Sequence, residues 1–218
     1  MMRMPTVNAD AARPTEGRML EWLLRAFALL ILTGAVWKFA SAWWAEPSRL
    51  TILLLLLTEG YTLVLVLFAR RAQVRDASPL AIVATLCATY AFALIEPSGT
   101  THLMPESAGV ALLVFSTLWQ FSAKLTIGRS FGVLPALRGV VTRGPYRVVR
   151  HPIYFGYLIN HAGFLLVNFS WRNAAVLGLL YLAQVVRILR EEAVLAASSD
   201  EYRSYQQRVR WRLLPFVF

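Results

Sequence analysis

The stretch Leu50-Thr-Ile-Leu-Leu-Leu-Leu-Leu-Thr-Glu-Gly-Tyr-Thr-Leu-Val-Leu-Val-Leu-Phe68 contains a single ionisable carboxylate, Glu59, and no basic residue. As a helix it would be about 28 Å long, close to the roughly 30 Å of hydrocarbon in a bilayer. It has no polar face with which to meet water, so it reads as a membrane span. Similar blocks flank it at about Leu20–Trp44, Pro79–Ile95, Ala108–Ala123, Ile153–Phe169 and Asn173–Leu189. The last two are near the lower length limit for spanning, so they are expected as a tight hairpin turning at Ser170-Trp171-Arg172. Trp43, Trp44 and Trp171 stand at block ends, where an interfacial aromatic belt places them. The expected fold is all-α, a multi-spanning transmembrane helical bundle of five to six spans.

Composition agrees. Of the 218 residues 57% are hydrophobic and 16% charged, against roughly 45–50% and about 25% in a soluble domain. The balance excludes a disordered chain. One cysteine, Cys87, has no partner for a disulfide and lies in an apolar block as a small packing residue. With His102, His151 and His161 it makes no metal-ligand spacing, so no metal site is expected. The net charge of +10 sits beside apolar spans rather than on a polar domain, which points to the lipid bilayer as partner and not to nucleic acid.

Along the chain, residues 1–19 read as a polar tail, with Met1–Gly17 frayed. Residues 20–107 read as N-terminal transmembrane helices, and 108–218 as a polar-rich core of two to three membrane helices, a basic loop and C-terminal helices. Six spans put 19 of the 22 basic residues on one side and leave Lys38, Arg49 and Arg172 on the other. By the positive-inside rule both termini and the Lys124–Arg150 loop are cytoplasmic, in a membrane of the bacterial inner-membrane type. Residues 191–209 read as a helix in two pieces, with Ser199 or Asp200 as the new N-cap.

Chemistry-bearing residues concentrate between about Gln120 and Tyr205. The richest run is Gly144-Pro-Tyr-Arg-Val-Val-Arg-His-Pro-Ile-Tyr-Phe-Gly156. Pro152 suits the first turn of a helix, which puts His151 near the N-cap and Tyr154 and Gly156 in the first turns. Free N–H groups there, with Arg147 and Arg150, could hold a carboxylate or phosphate; an interfacial anchor for lipid headgroups is the bland alternative. Glu59 is a carboxylate in an apolar span, either functional or protonated and hydrogen-bonded between helices. Asn168 is a further polar group in an apolar block, and Asn160 and Gln184 read as interhelical glue. His161 follows Tyr154 by seven residues and shares its helical face.

Taken in order, Gly128-Arg-Ser-Phe131, Arg150-His-Pro-Ile-Tyr154 within that run, Arg190-Glu-Glu192, Glu201-Tyr202 with Tyr205, and Leu214-Pro215 carry a resemblance. The chain over about residues 110–218 resembles the integral-membrane methyltransferases of the isoprenylcysteine carboxyl methyltransferase family. The phospholipid N-methyltransferases share the pattern more loosely; of their Gly-x-Gly, Gly156-Tyr157-Leu158 keeps only the first glycine. The resemblance implies a cytoplasmic C-terminal site for S-adenosylmethionine and a lipid-like or small hydrophobic acceptor, with a carboxylate favoured. Carried over, it assigns Arg150, His151, Pro152, Tyr154, Gly156 and Glu192 to the cofactor, and Arg190 and Glu191 to the reaction; His161 joins the catalytic candidates through the helical face it shares with Tyr154. Glu191 and Glu192 lie about 100° apart on a helix, so their roles differ. Glu192 is expected on the cofactor and Glu191 in a salt bridge with Arg187. Two alternatives stand beside this reading. One is an NADPH-dependent membrane reductase of the steroid-reductase type, which shares Arg-His-Pro-x-Tyr; the other is a non-enzymatic lipid-binding protein.

Overall fold

A computed structural model describes residues 14–45, 47, 50–70, 74–76, 78–94, 101–132, 136–167 and 169–218. Residues 1–13, Arg49 and Asn168, named above, lie outside the described residues. The described residues form seven α-helices: α1 (Pro14–Ala45), α2 (Leu50–Phe68), α3 (Pro79–Tyr90), α4 (Glu106–Ile127), α5 (Pro152–Val167), α6 (Trp171–Ser198) and α7 (Asp200–Arg208). A two-residue antiparallel ladder, β1 (Val74–Arg75) with β2 (Ala136–Leu137), ties the α2–α3 loop to the long loop after α4.

Each apolar block forms a helix, and the lengths differ from block to block. Among the described residues three stretches are long and apolar enough to cross a membrane: Arg25–Ala45, Ser107–Ser130 and Trp171–Ser198. The stretches Glu59–Phe68, Pro79–Ala88 and Pro152–Val167 are shorter apolar helices. The 12 residues of α3 reach about 18 Å, well short of the hydrocarbon thickness. A proline at its start, capped by Ser78 accepting from Ala81 N–H, and a 3-10 turn at Ala91–Leu94 set its limits.

Three boundaries also move. Residues Pro14–Gly17, expected in the frayed tail, belong to α1. Lys124 does not open the loop: α4 continues to Ile127, and Lys124 is fully buried with its ammonium donating to Thr62 Oγ1 at 2.8 Å. The sixth helix does not stop at Leu189 but runs to Ser198, because the charged groups beyond Leu189 find partners within the protein. It then breaks where expected, with Ser199 as N-cap of α7, accepting from Tyr202 N–H.

Helix pairing follows small residues. α4 packs along α5, α3 along α6 and α1 along α2. On α4 Gly109, Ser116 and Ala123 are seven apart, and on α5 Gly156 and Gly163 likewise, so each set forms one stripe through which backbones can approach. The approach is close. A Cβ on Gly156 would lie 2.3 Å from Gln120 Cγ, and one on Gly109 would lie 2.3 Å from Val167 Cγ2. Asn160 adds a bond to Ser116 Oγ at 3.4 Å, and Trp119 Nε1 donates to the Pro152 carbonyl at 2.9 Å. At the far end a bridge between Thr101 and Phe169 and the Ser170 cap of α6 close the hairpin. Cys87 is half-buried on α3 with a free thiol.

Candidate functional site

The polar residues gather at one end of the bundle, where α4 ends, α5 begins, α6 leaves its apolar stretch and α7 folds back. Ala123, Tyr146, Ile153, Tyr202, Tyr205 and Val209 form the buried apolar floor there. Tyr205 donates its hydroxyl to the Tyr146 carbonyl at 2.6 Å. Burial pushes the phenols of Tyr146, Tyr202 and Tyr205 well above their ordinary range, so they stay neutral donors.

Over this floor lies a buried ionic knot. Arg150 donates from Nε to Glu192 Oε1 at 2.7 Å and from Nη2 to Oε2 at 3.1 Å. Its Nη1 donates to the carbonyls of Val209 and Arg210 at 2.7 and 3.0 Å. Glu192 also meets His151 Nε2 at 3.2 Å, Arg212 Nε at 2.9 Å and Gln206 Nε2 at 3.3 Å. The backbone joins in: Arg150 N–H donates to Trp211 O and His151 N–H to Arg212 O, both at 2.9 Å. The segment 209–212 therefore runs alongside residues 150–151 and seals the start of α5. A bidentate arginine with further donors on the same carboxylate is the geometry in which a buried pair can offset its desolvation.

Beside the knot sits a looser group. Tyr154 donates its hydroxyl to Glu191 Oε2 at 3.2 Å. Its ring stacks on His151, centroids 5.5 Å apart and planes 5° apart, while the Arg187 guanidinium lies 5.0 Å from its centre. Glu191 is half-buried where Glu192 is buried. One turn and more deeper, His161 Nδ1 is 2.8 Å from the Tyr181 hydroxyl, and Lys124 Nζ lies 5.6 Å from the centre of the Tyr157 ring.

The residues expected from sequence thus fall into separate places. Arg150, His151 and Glu192 lie together in the knot, with Pro152 buried at the head of α5. Tyr154, Glu191 and Arg187 form the adjoining group. Gly156 faces α4 and serves its close packing. Arg190 points elsewhere, donating to Asp76 Oδ2 at 2.6 Å and Ser78 Oγ at 2.8 Å, where it pins the start of α3. His161 sits lower on α5, bound to α6. Sequence reasoning missed Arg212 and Gln206 as partners of Glu192. The available signal was Val209-Arg-Trp-Arg212, a short alternation after a helix stop that suits an extended segment.

Comparison with known proteins meets this geometry at the same segment. Residues 105–198 match the family model described as phospholipid methyltransferase. The chain is also 32% identical over 75 residues to protein-S-isoprenylcysteine O-methyltransferase A of Arabidopsis thaliana, a match covering 32% of this chain and 38% of the relative. The matched segment holds α4, α5, α6 and the residues Arg150, His151, Tyr154, Glu191 and Glu192. Both matches are to methyltransferases, so the chain, through the segment 105–198 that carries most of the buried ionic knot, is similar to the phospholipid and isoprenylcysteine enzymes.

Proposed function

We propose that this protein transfers a methyl group from S-adenosylmethionine to a lipid-like or small hydrophobic acceptor, with a carboxylate the favoured target. The observation that carries the reading is the group of Tyr154, Glu191 and Arg187 beside a locked Arg150–Glu192 pair. The donor set suits the cofactor's chemistry. A half-buried carboxylate fits an ammonium or a ribose diol, and a guanidinium fits a carboxylate.

The two glutamates exchange the roles expected from sequence. Glu192 is engaged by Arg150, His151, Arg212 and Gln206, so we assign it to holding the site together. Glu191 has the Tyr154 hydroxyl as its named partner and a part-exposed position, so we assign it to the cofactor. His151 and Pro152 shape the pocket from the start of α5. Arg190, tied to α3, holds the site's outer wall. Both termini and the loop up to Arg150 face the cytoplasm in this reading, the side from which a charged cofactor arrives.

When bound, S-adenosylmethionine supplies an electrophilic methyl group on a sulfonium. A carboxylate acceptor carries its own nucleophilic oxygen, so the protein need supply no base. Its residues orient the partners and keep water out. The buried aromatic floor and the sealing segment 209–212 serve the second task.

Calorimetric titration of detergent-solubilised protein tests the reading. S-adenosylhomocysteine should bind saturably, NADPH should give no saturable heat, and Glu191→Gln should weaken S-adenosylhomocysteine about tenfold or more. Saturable NADPH binding with no response to S-adenosylhomocysteine would favour the reductase class. Absence of both would leave the lipid-binding class.

A further inference from the structure

The α5-facing side of α6 carries a donor without a use in the structure described so far. Gln184 is buried, with 4% of its surface exposed, and its Nε2 has no hydrogen-bond partner. Buried amide groups are rarely left so, since an unmade bond costs more than a made one returns. Its direction is fixed by its neighbours. Gln184 stands seven residues before Glu191 and three after Tyr181, two positions whose side chains reach Tyr154 and His161 of α5. Residues at those offsets share one face of a helix. Gln184 therefore looks toward α5 at a depth between the Glu191–Tyr154 contact and the His161–Tyr181 contact. α5 and α6 meet only sparsely along their length, unlike α4 with α5 or α3 with α6.

We infer that Gln184 is an acceptor-binding residue, whose amide N–H donates to a carbonyl or carboxylate oxygen of an amphiphile lodged between α5 and α6. The inference rests on the proposed methyl transfer for the direction in which the acceptor presents its head. The polarity fits: an amide nitrogen offers hydrogen and no lone pair, so its ligand must bring an oxygen. The depth fits as well, because an oxygen held there lies below the level of Glu191 while its chain remains among apolar side chains. Leu177 and Leu180, on neighbouring positions of α6, are buried beneath it.

The test uses full-length protein in detergent, a photoreactive palmitic acid bearing a diazirine in its chain, and the Gln184→Met variant, which keeps length and removes the amide. Labelled peptides from wild type should map to α5 and α6, with labelling competed by palmitate and not by hexadecanol. In Gln184→Met labelling should fall about tenfold, S-adenosylhomocysteine affinity should be unchanged, and the melting temperature should hold or rise, because a buried unpaired donor has been removed. Gln184→Glu, which sets a carboxylate or its acid where the amide stood, should likewise lose palmitate-competed labelling. Equal labelling of wild type and Gln184→Met would overturn the inference. So would a variant that melts several degrees lower or fails to fold, since the amide would then be bonding the helices. Labelling at α5 and α6 without any S-adenosylhomocysteine binding would refute the methyl-transfer reading and leave the amphiphile site standing.

Discussion

Replacing Glu192 with Gln removes one charge from the knot and little volume. Five donor contacts converge on the carboxylate, from Arg150 twice, His151, Arg212 and Gln206. The amide can keep at most one oxygen for them and turns an N–H toward the rest. Arg150, itself buried, keeps only the carbonyls of Val209 and Arg210. Breaking a buried pair by neutralising one partner costs about 3–5 kcal/mol, and the two remaining carbonyl bonds put this case near about 3 kcal/mol. At tenfold per about 1.4 kcal/mol, local opening of segment 209–212 should rise roughly 100-fold. Arg208, Arg210 and Arg212 make that segment a substrate for trypsin, so its cleavage rate in detergent, under conditions where reclosing outruns cleavage, reads the opening directly. Glu191→Gln is the matched control, with the same chemistry one residue away, and should leave the rate within about twofold. Equal cleavage rates for the two variants would refute the role assigned to Glu192.

Other expectations concern packing and pH. Gly156→Ala places a methyl group 2.3 Å from Gln120 Cγ and should cost about 1–3 kcal/mol, read as a lowered melting temperature. Gly178→Ala, with nothing within 4 Å of the new carbon, should not lower it. Tyr205→Phe leaves the buried Tyr146 carbonyl without its 2.6 Å donor and should cost about 1–2 kcal/mol in thermal unfolding. Burial raises the Asp76 carboxyl, but bonds from Arg190 and from Ser78 outweigh it and hold the group below its ordinary value. A depressed carboxylate contributes stability that is present above its unfolded pKa and lost as pH falls through the folded one. Melting temperature should therefore drop more steeply below about pH 4 in wild type than in Asp76→Asn, and parallel acid limbs would contradict this.

The helices were legible because apolar blocks and their breakers are local. Pro79, Pro152 and Ser170 mark starts by backbone chemistry that needs no tertiary context, and each stands where a helix begins. Lengths were less legible. The run Arg187 to Glu192 looks like the end of a membrane span, yet its charged groups are bonded by Arg150, Tyr154 and Asp76, which are 37 to 114 residues distant in sequence. Lys124 was misplaced for the same reason, since Thr62 lies on another helix. In the site, sequence brought forward Arg150, His151, Tyr154 and both glutamates. It could not decide which carboxylate is enclosed, because that depends on Arg212 and Gln206 arriving from a later segment. Gln184 read as glue because an amide in an apolar helix usually finds a neighbouring helix; only side-chain positions show that its nitrogen does not.

The pairing of segment 209–212 with residues 150–151 also imposes an order on biosynthesis. Arg150 finds two of its acceptors 59 and 60 residues downstream, and Glu192 waits for Gln206 and Arg212. At about 5–20 residues per second a ribosome needs roughly 3–12 s to cover that interval. Both α5 and α6 are made within it, and from Ser198 to Val209 they are complete while the arginine and the glutamate lack their closing segment. The nascent chain thus passes through a stage in which α5 and α6 exist and the buried knot around Arg150 and Glu192 does not. A chain cut short before Val209 would keep α5 and α6 and lose the carbonyls and the Arg212 guanidinium that close the knot.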